Sequence, residues 1–193
     1  MKRRTFDGIV TLVGFGFSIF LFIAAGLLNW GYGFANEAVS SQLSSQEITL
    51  PAETGNAKED ALVTAFFKDN GAKPMTTGKQ AQMYADHYLG FHLSAMPPYA
   101  LASTASRAAA GALTASPNDP ALQAAAAKAN GLVDTVFKGT MLRGTLLTAY
   151  AFWELGQIAK ISAGVVLLAG LLLLLLSLAG LLHLRRTPEE ATI

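Results

Sequence analysis

The chain has 193 residues, 14 Lys and Arg against 13 Asp and Glu, a net charge of +1, and no Cys. Near-neutrality without a basic stripe leaves no footprint for nucleic acid, and the missing Cys excludes disulfides, thiolate metal sites, thiol nucleophiles and a lipidated Cys anchor. Only 14% of residues are charged while 52% are hydrophobic, against roughly 25% charged in an ordinary soluble domain.

The excess apolar residues form two blocks near the ends. No charge occurs in the 29 residues from Gly8 to Asn36. Its most apolar part, Ile9 to Leu28, would cover about 30 Å as a helix, the thickness of a bilayer core. This apolar run is longer than the roughly 7–15 residues of a signal peptide. Gly31-Tyr32-Gly33-Phe34-Ala35 makes a poor cleavage site, so an uncleaved anchor is expected. Trp30 and Tyr32 then close its outer end as an interfacial aromatic belt.

The helix is expected to continue through Phe34–Leu43, followed by an extended break at Ile48-Thr-Leu-Pro51. Asn56 with Glu59 has the form of an N-cap for a helix that stops at Asn70-Gly71. Thr77 with Gln80 repeats the capping pattern, and Pro97-Pro98 must end the helix that follows. An Ala-rich piece runs from about Leu101 to Leu113. Ser116-Pro117 and Pro120 open another helix, with a C-cap and a new N-cap expected at Lys138-Gly139-Thr140. From Met141 nothing interrupts a helix before Leu184. This stretch includes the second block, Ile161 to Leu182, 22 uncharged residues with six consecutive leucines at 171–176.

Lys2, Arg3 and Arg4 precede the first block, and His183, Arg185 and Arg186 follow the second. The intervening 36–160 stretch carries nine Lys and Arg against ten Asp and Glu. The positive-inside rule then puts both termini in the cytoplasm. The expectation is an all-α membrane protein of the plasma membrane: a cytoplasmic N-terminus at 1–7, transmembrane helices at 8–35 and 160–183 flanking an extracytoplasmic helical domain at 36–159, and a cytoplasmic C-terminus at 184–193.

Small residues recur every seven positions: Thr11, Ser18 and Ala25 in the first block; Ala149, Gly156, Ala163, Gly170 and Ser177 through the second. Such spacing makes a flat seam where a neighbouring helix approaches closely with left-handed crossing. The seam could join the two spans or receive a partner protein. Gly14-x-x-x-Ser18 also fits a small-x-x-x-small pair, a common pattern of little weight.

Catalytic residue types gather only at Tyr84-Ala-Asp86-His87-Tyr88-Leu-Gly-Phe91-His92. On an α-helix His87 and His92 lie about 140° apart, whereas zinc-binding helices use i, i+4 pairs, and the segment 36–159 has no third His. Tyr84, His87, Tyr88 and Phe91 instead form the i, i+3, i+4, i+7 stripe of a helix buried against neighbours. No Ser sits in a nucleophile elbow, and Gly14-Phe-Gly16 lies inside the first block rather than at a strand–helix turn. Arg143, alone in an apolar helical stretch, could meet a ligand anion, but pairing with Glu154 or with an acid of another helix is the more frequent outcome and is expected. No catalytic, metal or cofactor-binding residues are assigned.

Met75-Thr-Thr-Gly-Lys-Gln-Ala-x-x-Tyr84-Ala-Asp-His87 and Leu142-Arg-Gly-x-Leu-Leu-x-Ala149-Tyr-Ala-Phe152 resemble a group of actinobacterial two-span membrane proteins of unestablished function. The resemblance covers most of the chain, least between Leu101 and Ala129, and implies an actinobacterial envelope and the two-span architecture. Some members carry the automatic label aromatic ring-opening dioxygenase. Such chemistry needs iron held by His and carboxylate ligands, a set that His87 and His92 do not supply.

These readings make the chain a non-enzymatic accessory or scaffolding component of a larger cell-envelope membrane assembly. Its partners would be the lipid bilayer and either another membrane protein or a second copy. The alternative is a ligand-sensing membrane protein signalling through a partner, since only 11 residues follow Leu182.

Overall fold

The computed structural model describes residues 3–188. Lys2 and residues 189–193, parts of the expected cytoplasmic termini, lie outside the described residues. Six α-helices are present among them: α1 (Arg3–Ser44), α2 (Ala61–Asn70), α3 (Gly78–Met83), α4 (Gly90–Ser94), α5 (Tyr99–Ala115) and α6 (Pro120–Arg186), with a π-helical turn at Tyr84–Leu89 between α3 and α4. Extended pairing among the described residues is limited to one antiparallel bridge between Thr49 and Pro74. The chain divides into two compact units, Met1–Glu37 with Glu154–Ile193, and Ala38–Trp153.

Unit 1 is the pairing of the first part of α1 with the last part of α6. Both helices are long and apolar enough to cross a membrane, with mean hydropathy of 2.3 and 2.9 over their most apolar stretches. Only 17% and 11% of those stretches is buried. A soluble core helix buries most of its apolar surface. These two instead leave large side chains such as Leu12, Ile19, Leu168 and Leu172 outward.

Unit 2 is built around Val39 and Leu43 of α1, Leu50, Met75, Ala81, Ala85 and Leu146 of α6. Ile48, Phe66, Tyr84, Leu142, Leu147 and Trp153 pack around them. The break after α1 is extended as expected. Leu50 N–H donates to Lys73 O, Ala72 N–H to Leu50 O and Met75 N–H to Ile48 O, which ties the segment before α2 to the one after it. Thr77 and Gln80 form a complete capping box for α3. α5 and the start of α6 make a helical hairpin whose best-buried members are Ala102 and Val136.

Two expectations about helix ends are corrected. Asp60, not Asn56, caps α2, its carboxylate accepting from Leu62 N–H at 2.8 Å. The Asn56 side chain accepts from Lys58 N–H, a local turn that competes with a helix start. At Lys138-Gly139-Thr140 no break occurs, and α6 is continuous. A Cβ at Gly139 would lie 2.8 Å from Leu93 Cδ2, so this glycine admits a close neighbour instead of ending the helix. An interior glycine costs a helix only about 1 kcal/mol.

Candidate functional site

Seven of the eight small residues spaced at seven lie in unit 1, on the faces that α1 and α6 turn to each other. Thr11, Ser18 and Ala25 are buried, as are Gly156, Ala163, Gly170 and Ser177. Ser18 Oγ donates to Gly170 O at 3.0 Å across the pair. A Cβ at Gly170 would stand 3.0 Å from Phe22 Cε1, one at Gly156 3.1 Å from Ala35 Cβ, and one at Gly180 2.8 Å from Thr11 Oγ1. A Cβ at Gly14 would collide with Ser177 Oγ. Partners descend α1 as they ascend α6, so the helices run antiparallel with backbones close. Ala149 is the exception: it lies in unit 2, half-buried against the core there. Gly180 escaped the spacing rule because it sits three residues beyond Ser177, on the adjoining turn of the same face. Gly14 was legible only as a common pattern.

Lys160 closes one end of this pairing, its ammonium 4.8 Å from the centre of the Tyr32 ring. At the opposite end, Asp7 Oδ2 lies 3.9 Å from both Arg3 Nε and His183 Nε2. That oxygen is buried and accepts no hydrogen bond.

The polar residues of unit 2 collect around the π-helical turn. Its wider register directs Gly90 N–H to Ala85 O, five residues back. The same carbonyl accepts from Arg143 Nε at 3.0 Å, and Arg143 Nη2 donates to Asp86 Oδ1 at 2.9 Å. Arg143 thus takes the second of its two expected kinds of partner, an acid of another element, and bridges α6 to the turn. π-turns of this kind occur often at functional sites.

Both imidazoles reach the loop before α2: His87 Nδ1 lies 3.2 Å from Glu59 Oε1, and His92 packs beside Gly55. Gly55 takes a φ of 79°, a left-handed conformation suited to glycine. The aromatic stripe is not the buried face that was expected. Tyr84, His87 and Tyr88 are half-buried and Phe91 is exposed, while the small Ala81 and Ala85 face the core. Tyr84 stacks on Tyr88 with ring centres 4.9 Å apart, and Tyr88 lies 4.4 Å from the His92 ring. Burial, followed by the neighbouring Tyr88, pushes the Tyr84 phenol above its usual 10.0.

A shallow depression of about 420 Å³ lies against this loop, lined by Glu53, Thr54, Gly55, Asn56, Glu59 and Thr64. Among the described residues no three His, Asp or Glu side chains gather closely enough to hold a metal ion. A second groove of about 650 Å³ runs between α5 and the start of α6, lined by Tyr99, Asn130, Val133, Asp134 and Phe137 among others.

No family model, curated protein or solved structure matches the chain.

Proposed function

We propose that the chain is a non-enzymatic integral membrane protein of the cell envelope, acting as an accessory or scaffolding component of a larger membrane assembly. The observation that carries this reading is the helix pair of unit 1, joined along small residues while its large apolar side chains face outward. Lipid is the environment that accepts such a surface. In this reading both termini are cytoplasmic and residues 36–159 lie outside, presented to a partner. Leu101, Phe137 and Met141, exposed on unit 2, support contact with another protein.

The test is purification of the full tagged chain from native membranes in mild detergent, followed by mass spectrometry of its companions. Companions at fixed stoichiometry are expected. A lone homogeneous species would overturn the accessory role. The absence of native Cys makes orientation accessible by labelling: a single Cys at Ser116 should react with an impermeant maleimide in intact cells, and one at Thr5 should not.

The sensing alternative draws on the polar depression beside the π-helical turn. A small molecule that raises the melting temperature of the chain would favour it, since binding to the folded state alone stabilises that state.

A further inference from the structure

α3, the π-helical turn and α4 follow one another without a break: Met83, Tyr84, Leu89 and Gly90 all keep right-handed helical angles. Residues 78–94 are therefore one helix with a single widened turn. Such turns are rare, because an ordinary helix closes each hydrogen bond four residues back rather than five.

Arg143 is what holds the wider turn. In an α-helix Ala85 O would accept from Leu89 N–H. Here it accepts from Gly90 N–H and from Arg143 Nε at 3.0 Å, while Arg143 Nη2 donates to Asp86 Oδ1 at 2.9 Å. Gly90 leaves the guanidinium its room: a Cβ there would stand 3.4 Å from Ala85 O and 3.7 Å from Arg143 Nε. Arg143 and Asp86 are both partly solvated, so their contact can open without stranding a buried charge.

The register decides what the loop before α2 meets. A Cβ at Gly55 would lie 3.6 Å from His92 Cε1 and 3.7 Å from Phe91 Cε1, both residues beyond the turn. Within the turn, His87 Nδ1 is 3.2 Å from Glu59 Oε1. Return to the α register rotates everything after the turn by up to about 100°, the angle of one helical residue. His92 and Phe91 would then leave Gly55.

We infer that residues 84–90 are a register switch set by Arg143. With the guanidinium seated, the π-helical turn persists and the loop at 53–59 is held closed. With it withdrawn, the helix reverts to α, α4 turns, and the loop and its polar depression open. A shift in the packing of one element against another is a known form of two-state change. The input is a displacement of α6 at Arg143, and the output is access to the depression. The device lies within unit 2 and does not depend on the membrane reading above.

The experiment uses the absence of native Cys. Thr54 is buried, 4% exposed, so a full-length chain carrying Thr54→Cys should react slowly with maleimide in mild detergent. Adding Arg143→Gln should raise that rate several-fold, and Arg143→Lys should raise it less. Ala102→Cys in α5, also buried, reports general loosening and should keep its rate. Deleting Leu89 removes the extra residue, giving an α-helix that leaves α4 facing the loop. In that background Arg143→Gln should no longer change the Thr54→Cys rate. An unchanged Thr54→Cys rate in the full-length chain, an equal rise at Ala102→Cys, or a rise that persists without Leu89 would each overturn the switch. The full-length comparison decides alone if the shortened chain does not fold.

Discussion

Ser18 donates its hydroxyl to the carbonyl oxygen of Gly170 at 3.0 Å, a hydrogen bond between residues 152 positions apart in sequence. Serine can reach a backbone carbonyl on the facing helix only if that helix comes close, and Gly170 allows this by having no side chain of its own. Removing the hydroxyl with Ser18→Ala should destabilise the pair by about 0.6–1 kcal/mol. Gly170→Leu should cost more, about 1–3 kcal/mol, because its side chain must displace Phe22 and Leu21. Unfolding in detergent checks both, with Gly16→Ala as the control, since a Cβ at Gly16 meets nothing within 4 Å.

The same seam offers a covalent test. A Cβ at Gly14 lies 3.6 Å from Ser177 Cβ, inside the roughly 3.5–4.5 Å span of disulfides. The double variant Gly14→Cys with Ser177→Cys should therefore form an intramolecular disulfide under mild oxidation, read as a mobility shift reversed by reductant. Gly16→Cys with Ser177→Cys should not. Only intermolecular products from the first variant would mean that α1 pairs with another chain.

Arg143 joins α6 to the π-helical turn through one carbonyl and one carboxylate. The pair is partly solvated, with Arg143 41% and Asp86 33% exposed at the side chain, so Arg143→Gln should cost about 1 kcal/mol rather than the larger penalty of a buried pair. Arg143→Lys should recover only part of this, because a single ammonium cannot reproduce the two-sided fork. A double-mutant cycle with Asp86→Asn separates the carboxylate contact from the carbonyl contact. Zero coupling would show that Asp86 contributes nothing to the bridge.

Gly78 is needed at the first turn of α3 because Trp153 occupies the space of a Cβ, with Trp153 Cγ 2.6 Å from that position. Gly78→Ala should destabilise unit 2 by about 1–3 kcal/mol and shift tryptophan emission as the ring is displaced. An unchanged spectrum and melting temperature would show that the two groups do not pack this closely in solution.

Tyr84 makes a prediction in alkali. Its folded-state phenol holds its proton above the usual 10.0, first because it is buried and then because Tyr88 is beside it. The folded chain therefore binds more protons than the unfolded chain above that pH. Its contribution to stability is complete below pH 10.0 and is lost as pH rises through the folded value. Denaturant titrations across this window should show stability falling with pH, and Tyr84→Phe should flatten the slope.

Much of the helical architecture could be read along the chain. Two uncharged apolar blocks of bilayer length, the Thr77–Gln80 capping box, the Asn70-Gly71 stop and the Pro97-Pro98 break are local signals, settled by residues within one or two turns of each other. The small residues spaced at seven were legible for the same reason, since helical period alone puts them on one face. What that face meets was not legible: Ser18 and Gly170 are distant in sequence, and only packing brings α1 against α6. The misread positions have the same origin. Gly139 looks like a helix end until Leu93 is seen against it, and Tyr84, His87, Tyr88 and Phe91 look like a buried face until Ala81 and Ala85 are seen to take the core. Period and capping are properties of neighbouring residues. Close approach, a widened turn and the choice of Asp86 over Glu154 depend on free energies between distant residues, and those exist only once the helices are packed.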